Sequence, residues 1–154
     1  MISEIRLALD REIPDDFVIN HVGGVGMVKS EKTSNPEYIT IPKRMEENRQ
    51  YLSQICQLFQ NKAVWYRTDD TPTYRANKLQ GTERVIEEEN PLMGLRGMRR
   101  SLYFIETFRK ELEMFLEVHE RNKNLGLLLP VVHDVSQVIK AQEILKDYNY
   151  QGKM

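Results

Sequence analysis

Leu127-Leu128-Leu129-Pro130-Val131-Val132 runs for six residues without a polar interruption, between Asn124-Leu125-Gly126 and His133-Asp134. A strand with one wet face alternates apolar and polar residues. An unbroken apolar run is what a strand covered on both faces requires, as in a parallel sheet. The run therefore predicts a buried strand over residues 126–132. Parallel strands need long crossovers, normally helices, so helical patterns should flank it. They do. Upstream, Leu102, Phe104, Ile105, Phe108, Leu112, Phe115, Leu116 and His119 recur at helical spacing, and Asn124-Leu125-Gly126 closes that helix. Downstream, Val135, Val138, Ile139, Ile144 and Leu145 predict a last helix behind a cap at Asp134 or Ser136.

The same alternation continues toward the N-terminus. Residues 63–67 read as a short strand ending in Arg67, and residues 42–62 as one long amphipathic helix with Met45, Leu52, Ile55, Leu58 and Phe59 on its apolar stripe. Ser34-Asn35-Pro36 predicts a turn. Gly23-Gly24-Val25-Gly26 leads into a strand over residues 25–29, closed by Lys29. Those glycines precede a strand, whereas a dinucleotide-binding loop follows one and opens a helix, so they are not that fingerprint. Pro14-Asp15-Asp16 opens a short helix through Phe17, Val18 and Ile19, and residues 4–9 alternate as a first strand with Asp10 at its C-terminal end. Strands alternating with helices predict an α/β fold with a parallel sheet and right-handed crossovers, in one domain over residues 1–154.

Composition bounds the function. With 22 basic against 23 acidic residues, no global field favours nucleic acid. No apolar run reaches the length of a membrane span, and Met1-Ile2-Ser3-Glu4 lacks the apolar core of a signal peptide. The lone Cys56 cannot form an internal disulfide and, beside Leu52, Ile55 and Phe59, reads as a buried inert thiol. A cytoplasmic location is expected. His21 reads as a loop residue, His119 as a partner for a helix C-terminus, and His133 as part of the start of the last helix. Their separations match no zinc signature.

The chemistry concentrates in Glu87-Glu88-Glu89-Asn90-Pro91-Leu92-Met93-Gly94-Leu95-Arg96-Gly97. Pro91 suits the first turn of a helix. Gly94 and Gly97 strip bulk from around Arg96, which lets a small anion approach both main chain and guanidinium. The three glutamates read as a solvated face.

This segment closely resembles the matching stretch of phosphoenolpyruvate synthase, with looser counterparts in pyruvate phosphate dikinase and in enzyme I of the bacterial sugar phosphotransferase system. Val64-Trp65-Tyr66-Arg67-Thr68-Asp69-Asp70 resembles the strand-end arginine motif of the same phosphoenolpyruvate-utilising family, at the right separation. Gly24 to Glu31 resembles its second barrel strand, with Lys29 where the family normally carries arginine. The resemblance implies the first four βα units of an eight-unit TIM barrel that binds phosphoenolpyruvate and pyruvate. A whole barrel takes about 250 residues, so this chain corresponds to half of one.

By resemblance, Arg67 and Arg96 are substrate-binding arginines that grip phosphate oxygens, and Lys29 stands for a third cation. On residues alone, each reads as a surface ion pair, for instance Arg67 with Asp69 or Asp70, and only the paired motifs favour a ligand role. The family's Mg2+ ligands, its acid cysteine and its phosphohistidine domain have no counterpart here, and Cys56 is misplaced for the acid. No cofactor is therefore expected on this chain alone, and no unaided turnover. Three readings stay open: an enzyme's barrel half, either a cut domain or one completed by a partner chain, a non-catalytic sensor of phosphoenolpyruvate or pyruvate, and an interaction module paired with another copy. All three imply association, because half a barrel leaves open strand edges.

Overall fold

The structure, a computed structural model, describes residues 4–33, 37–85, 88–90 and 93–154. In chain order the elements are β1 (Leu7–Leu9), α1 (Asp16–His21), β2 (Gly24–Lys29), a 3-10 turn (Ser30–Thr33), α2 (Pro42–Leu58), β3 (Ala63–Arg67), α3 (Thr73–Ala76), α4 (Met98–Tyr103), α5 (Ile105–Arg121), β4 (Leu125–Leu128) and α6 (Val135–Asp147). The four strands form one parallel sheet in the order β1-β2-β3-β4. Sequential parallel order with helical crossovers is the arrangement of half a TIM barrel.

Burial alternates along β3. Val64 and Tyr66 face the helices, while Ala63, Trp65 and Arg67 are half-buried on the opposite side. The core lies between sheet and helices: Val25, Val28, Val64, Tyr66, Leu125 and Leu127 meet Leu52, Ile55 and Phe59 with Phe108, Leu112 and Phe115. Their apolar area removed from water is the main favourable term holding the layers together.

Several boundaries differ from the sequence reading. β4 stops at Leu128 instead of running to Val132. Pro130 has no N–H to give a ladder, and Val131 turns the chain at φ 51°, a left-handed conformation that is rare for a β-branched residue. β1 is shorter than residues 4–9, at Leu7–Leu9. α2 ends at Leu58 rather than residue 62 because the Asn124 side chain reaches in and captures the carbonyls of Cys56, Phe59 and Lys62 at 2.9–3.1 Å. Helices need such partners for their last carbonyls.

The predicted helix after Asn90 is two helices. Residues 93–97 form turns and bends, α4 starts at Met98, and Phe104 (φ −105°, ψ 65°) separates it from α5. No Gly or Pro marks that break. Pro91, the expected helix start, lies outside the described residues, as do the predicted turn at 34–36 and Glu87. The last helix is capped by Asp134, whose carboxylate accepts from the Ser136 N–H at 2.7 Å. After α6 the chain returns to the outer edge of β4, where the Leu127 N–H donates to the Lys153 carbonyl at 2.9 Å.

Candidate anion-binding site

Parallel pairing brings the C-terminal ends of the strands to one edge, and in barrel folds that edge carries the chemistry. Here Lys29 and Arg67 are register partners, the last residues of β2 and β3. Adjacent strands are about 4.8 Å apart, so the two cations start as neighbours. Arg96 comes from the loop before α4. That loop is tied to the far end of β4, where the Met98 N–H donates to the Pro130 carbonyl at 3.0 Å. Gly97 permits the approach: its φ is +51°, and a Cβ there would lie 2.6 Å from the Pro130 oxygen.

Each cation is matched by a carboxylate of the chain. Lys29 Nζ lies 2.7 Å from Asp10, at the end of β1. Arg67 pairs with Glu31 and stands 3.8 Å from Asp70. Arg96 meets Asp70 side-on, through Nε at 3.0 Å and Nη2 at 2.8 Å. That bond raises the pKa of the Arg96 guanidinium. Glu31 is pushed up by burial, more than Arg67 pulls it down. The alternative partners for Arg67 are thus settled in favour of Glu31 and Asp70, in a partly buried pair rather than a surface one. Asp69 goes elsewhere.

Glu88 reaches back to this loop. Its Oε1 accepts from the Leu95 N–H at 2.5 Å, and a Cβ on Gly94 would fall within 2.4 Å of its carboxylate atoms. The bare backbone beside Arg96 does admit an anion, and in this structure that anion is a side chain of the chain itself. At least this glutamate of the run is half-buried and not part of a solvated face.

Beneath the edge lies a polar cluster that the sequence reading passed over. Asp69 accepts from the Tyr38 hydroxyl at 2.5 Å and from the Thr71 hydroxyl at 2.5 Å. Its own N–H donates to Glu111 Oε1 at 2.9 Å, and the Tyr66 hydroxyl donates to the same oxygen at 2.9 Å. Glu111 is 3% exposed. Burial, reinforced by the nearby Asp69 charge, pushes its carboxyl up to about 8. Burial also raises Asp69. A visible signal existed: Glu111 falls inside the apolar stripe of α5, between Phe108 and Leu112.

The remaining candidates stand apart. His21 is the last residue of α1, its Nδ1 2.7 Å from the Phe17 carbonyl. His119 bridges to the Leu125 carbonyl at 2.9 Å and stacks on Phe115, so it braces β4 rather than its own helix end. Burial lowers its pKa. The backbone N–H of His133 bonds Gln137 as α6 begins. Burial raises the Cys56 thiol to about 12, which makes it inert. Among the described residues, no group of three or more His, Cys, Asp or Glu is placed to hold a metal ion. Among the described residues, no helix is long and apolar enough to cross a membrane.

Comparison with known proteins supplies the family. Residues 10–153 match the model of the PEP-utilising enzyme, PEP-binding domain. A probable phosphoenolpyruvate synthase of Pyrococcus horikoshii is 37% identical over 97 residues, covering 62% of this chain and 12% of that protein. One from Methanothermobacter thermautotrophicus is 31% identical over 134 residues, 80% of this chain and 20% of that protein. The phosphoenolpyruvate-dependent phosphotransferase system protein of Salmonella typhimurium is 30% identical over 127 residues, 82% and 16% respectively. The chain thus spans at most a fifth of the length of these relatives. Its match over residues 10–153, on a parallel sheet whose strand ends gather Lys29, Arg67 and Arg96, makes the chain a member of the PEP-utilising enzyme family, in its PEP-binding domain.

Proposed function

We propose that this chain binds phosphoenolpyruvate or pyruvate at the C-terminal edge of its sheet, as one half of a PEP-utilising barrel. In this reading residues 1–154 act as a single barrel unit. Arg67 and Arg96 contact phosphate and carboxylate oxygens, and Lys29 adds a third charge. The supporting observation is their placement: Lys29 and Arg67 pair in register, and Arg96 is bound to Arg67 through Asp70. Planar guanidiniums suit a ligand that carries both a carboxylate and a phosphate.

Phosphoryl transfer belongs to the assembled protein. This chain's part is to bind and orient the anion and to offset its charge. The ligands of a magnesium ion would come from the other half of an assembled barrel, and the ion would supply charge stabilisation there. Trp65, Gly26 and Leu128 line an open, mostly apolar recess of about 540 Å3 on the sheet. Such a surface, together with β1 as the outer strand of the described sheet, supports pairing with a chain supplying the other half or with a second copy. A cytoplasmic location is part of the proposal, supported by the single buried thiol.

Calorimetric titration of the chain with phosphoenolpyruvate and magnesium tests the reading, with Arg96→Ala as the control. Heat that vanishes in the variant is expected. No heat from either protein refutes the pocket. A clean monomer at high concentration in sedimentation refutes the pairing.

A further inference from the structure

Asp70 is 7% exposed, and among the described residues its carboxylate meets two arginines of the candidate site. Its side-on pair with Arg96 uses Nε and Nη2, which leaves the Nη1 group outside that pair. The Oδ2 that meets Arg96 Nη2 at 2.8 Å also lies 3.8 Å from Arg67 Nη1. The two guanidiniums come from different segments, the end of β3 and the loop before α4, and like charges at that range repel. One carboxylate between them offsets that repulsion, while Glu31 holds Arg67 from its other side.

The carboxylate is itself held. On either side of it the backbone is pinned: Thr68 N–H donates to the Leu128 carbonyl at 3.1 Å, Asp69 N–H to Glu111 at 2.9 Å, and Thr71 N–H to Asp69 Oδ1 at 3.2 Å. A side chain on so constrained a loop keeps its geometry, unlike a surface pair that gains little and loses side-chain entropy.

We propose that Asp70 is a positioning residue that clamps Arg67 and Arg96 side by side, so that both meet one phosphate-and-carboxylate anion. The proposal rests on the binding role given above to these arginines. It makes a prediction opposite in sign to simple electrostatics. A negative charge beside an anion pocket weakens anion binding, so its removal should tighten the complex. If Asp70 orders the arginines, its removal loosens the complex, because Arg96 loses its partner, Arg67 keeps only Glu31, and the ligand must then fix their spacing.

The test compares the chain with Asp70→Asn, and with Asp70→Glu, which keeps the charge but lengthens the reach and serves if the first variant fails to fold. Without ligand, the Nε–H resonances of Arg67 and Arg96 are followed by 15N NMR. Slowed exchange of the Arg96 Nε–H is expected in the parent chain and is lost in both variants, with the Arg67 signal shifted too. With phosphoenolpyruvate, both variants bind about tenfold more weakly or worse. Unchanged arginine signals, or binding by Asp70→Asn as tight as the parent's or tighter, overturn the clamp. A parent chain that binds no phosphoenolpyruvate overturns the ligand reading instead. In that case Nε–H protection lost in the variants still supports the clamp, and its persistence refutes it.

Discussion

Replacing Glu111 by Gln removes a titrating carboxyl from the centre of the molecule while keeping its shape. The group is wholly enclosed by α5, β3 and the loop after β3, and its oxygen accepts from both Tyr66 and Asp69. Burial first, and the Asp69 charge second, lift its carboxyl from an ordinary 4.5 to about 8. The folded-state value lies above the unfolded one, so between these limits the folded chain keeps a proton that the unfolded chain has released. The stabilisation is full below pH about 4.5 and is lost as pH rises toward about 8. One proton corresponds to a slope of about 1.4 kcal/mol per pH unit. Urea unfolding of the parent chain from pH 5 to pH 9 should show stability falling with pH at about that slope up to about 8, then levelling. In Glu111→Gln the fall should flatten, and above pH 8 the variant should match or exceed the parent. A parent whose stability climbs through this range, or a variant with the same slope, would refute the claim that Glu111 holds a proton in the folded state.

Other outcomes follow from single contacts. Asn124→Ala leaves three carbonyls between the last turn of α2 and the start of β3 without their shared donor, and should cost about 2 kcal/mol in denaturant unfolding. A value within 0.5 kcal/mol of zero would show that water replaces the amide (surface substitutions are about that small). Gly97→Ala places a Cβ 2.6 Å from the Pro130 carbonyl oxygen at a positive φ. It should lower stability by about 2–3 kcal/mol and weaken phosphoenolpyruvate binding by displacing Arg96; an unchanged melting temperature would contradict the close approach. Lys29→Arg should tighten phosphoenolpyruvate binding a few-fold by adding a planar donor, read by calorimetry. No change would mean that Lys29 stays with Asp10 and does not meet the ligand.

Much of the architecture was legible because it depends on periodicity. The Leu127–Leu129 run, the helical spacing from Phe108 to Phe115 and the Ala63–Arg67 strand each encode which face must leave water, and burial follows that directly. The resemblance carried by Arg67 and by the segment around Arg96 supplied the order of the units and the edge where the cations meet. Boundaries were less legible, since they depend on partners distant in sequence. α2 ends where Asn124 arrives, and β4 ends where Val131 turns against Gly97.

Composition and spacing alone determined an α/β chain with cations at strand ends and a glycine-flanked Arg96. Only the tertiary structure decided which carboxylate each cation meets: Asp10 for Lys29, Glu31 for Arg67, Asp70 for Arg96. It alone showed Glu111 lying against Asp69, 42 positions away in the chain. The physical reason is range. Hydrophobic periodicity is written in neighbouring residues, whereas a hydrogen bond or ion pair forms only over a few ångströms, between atoms that the fold must first bring together.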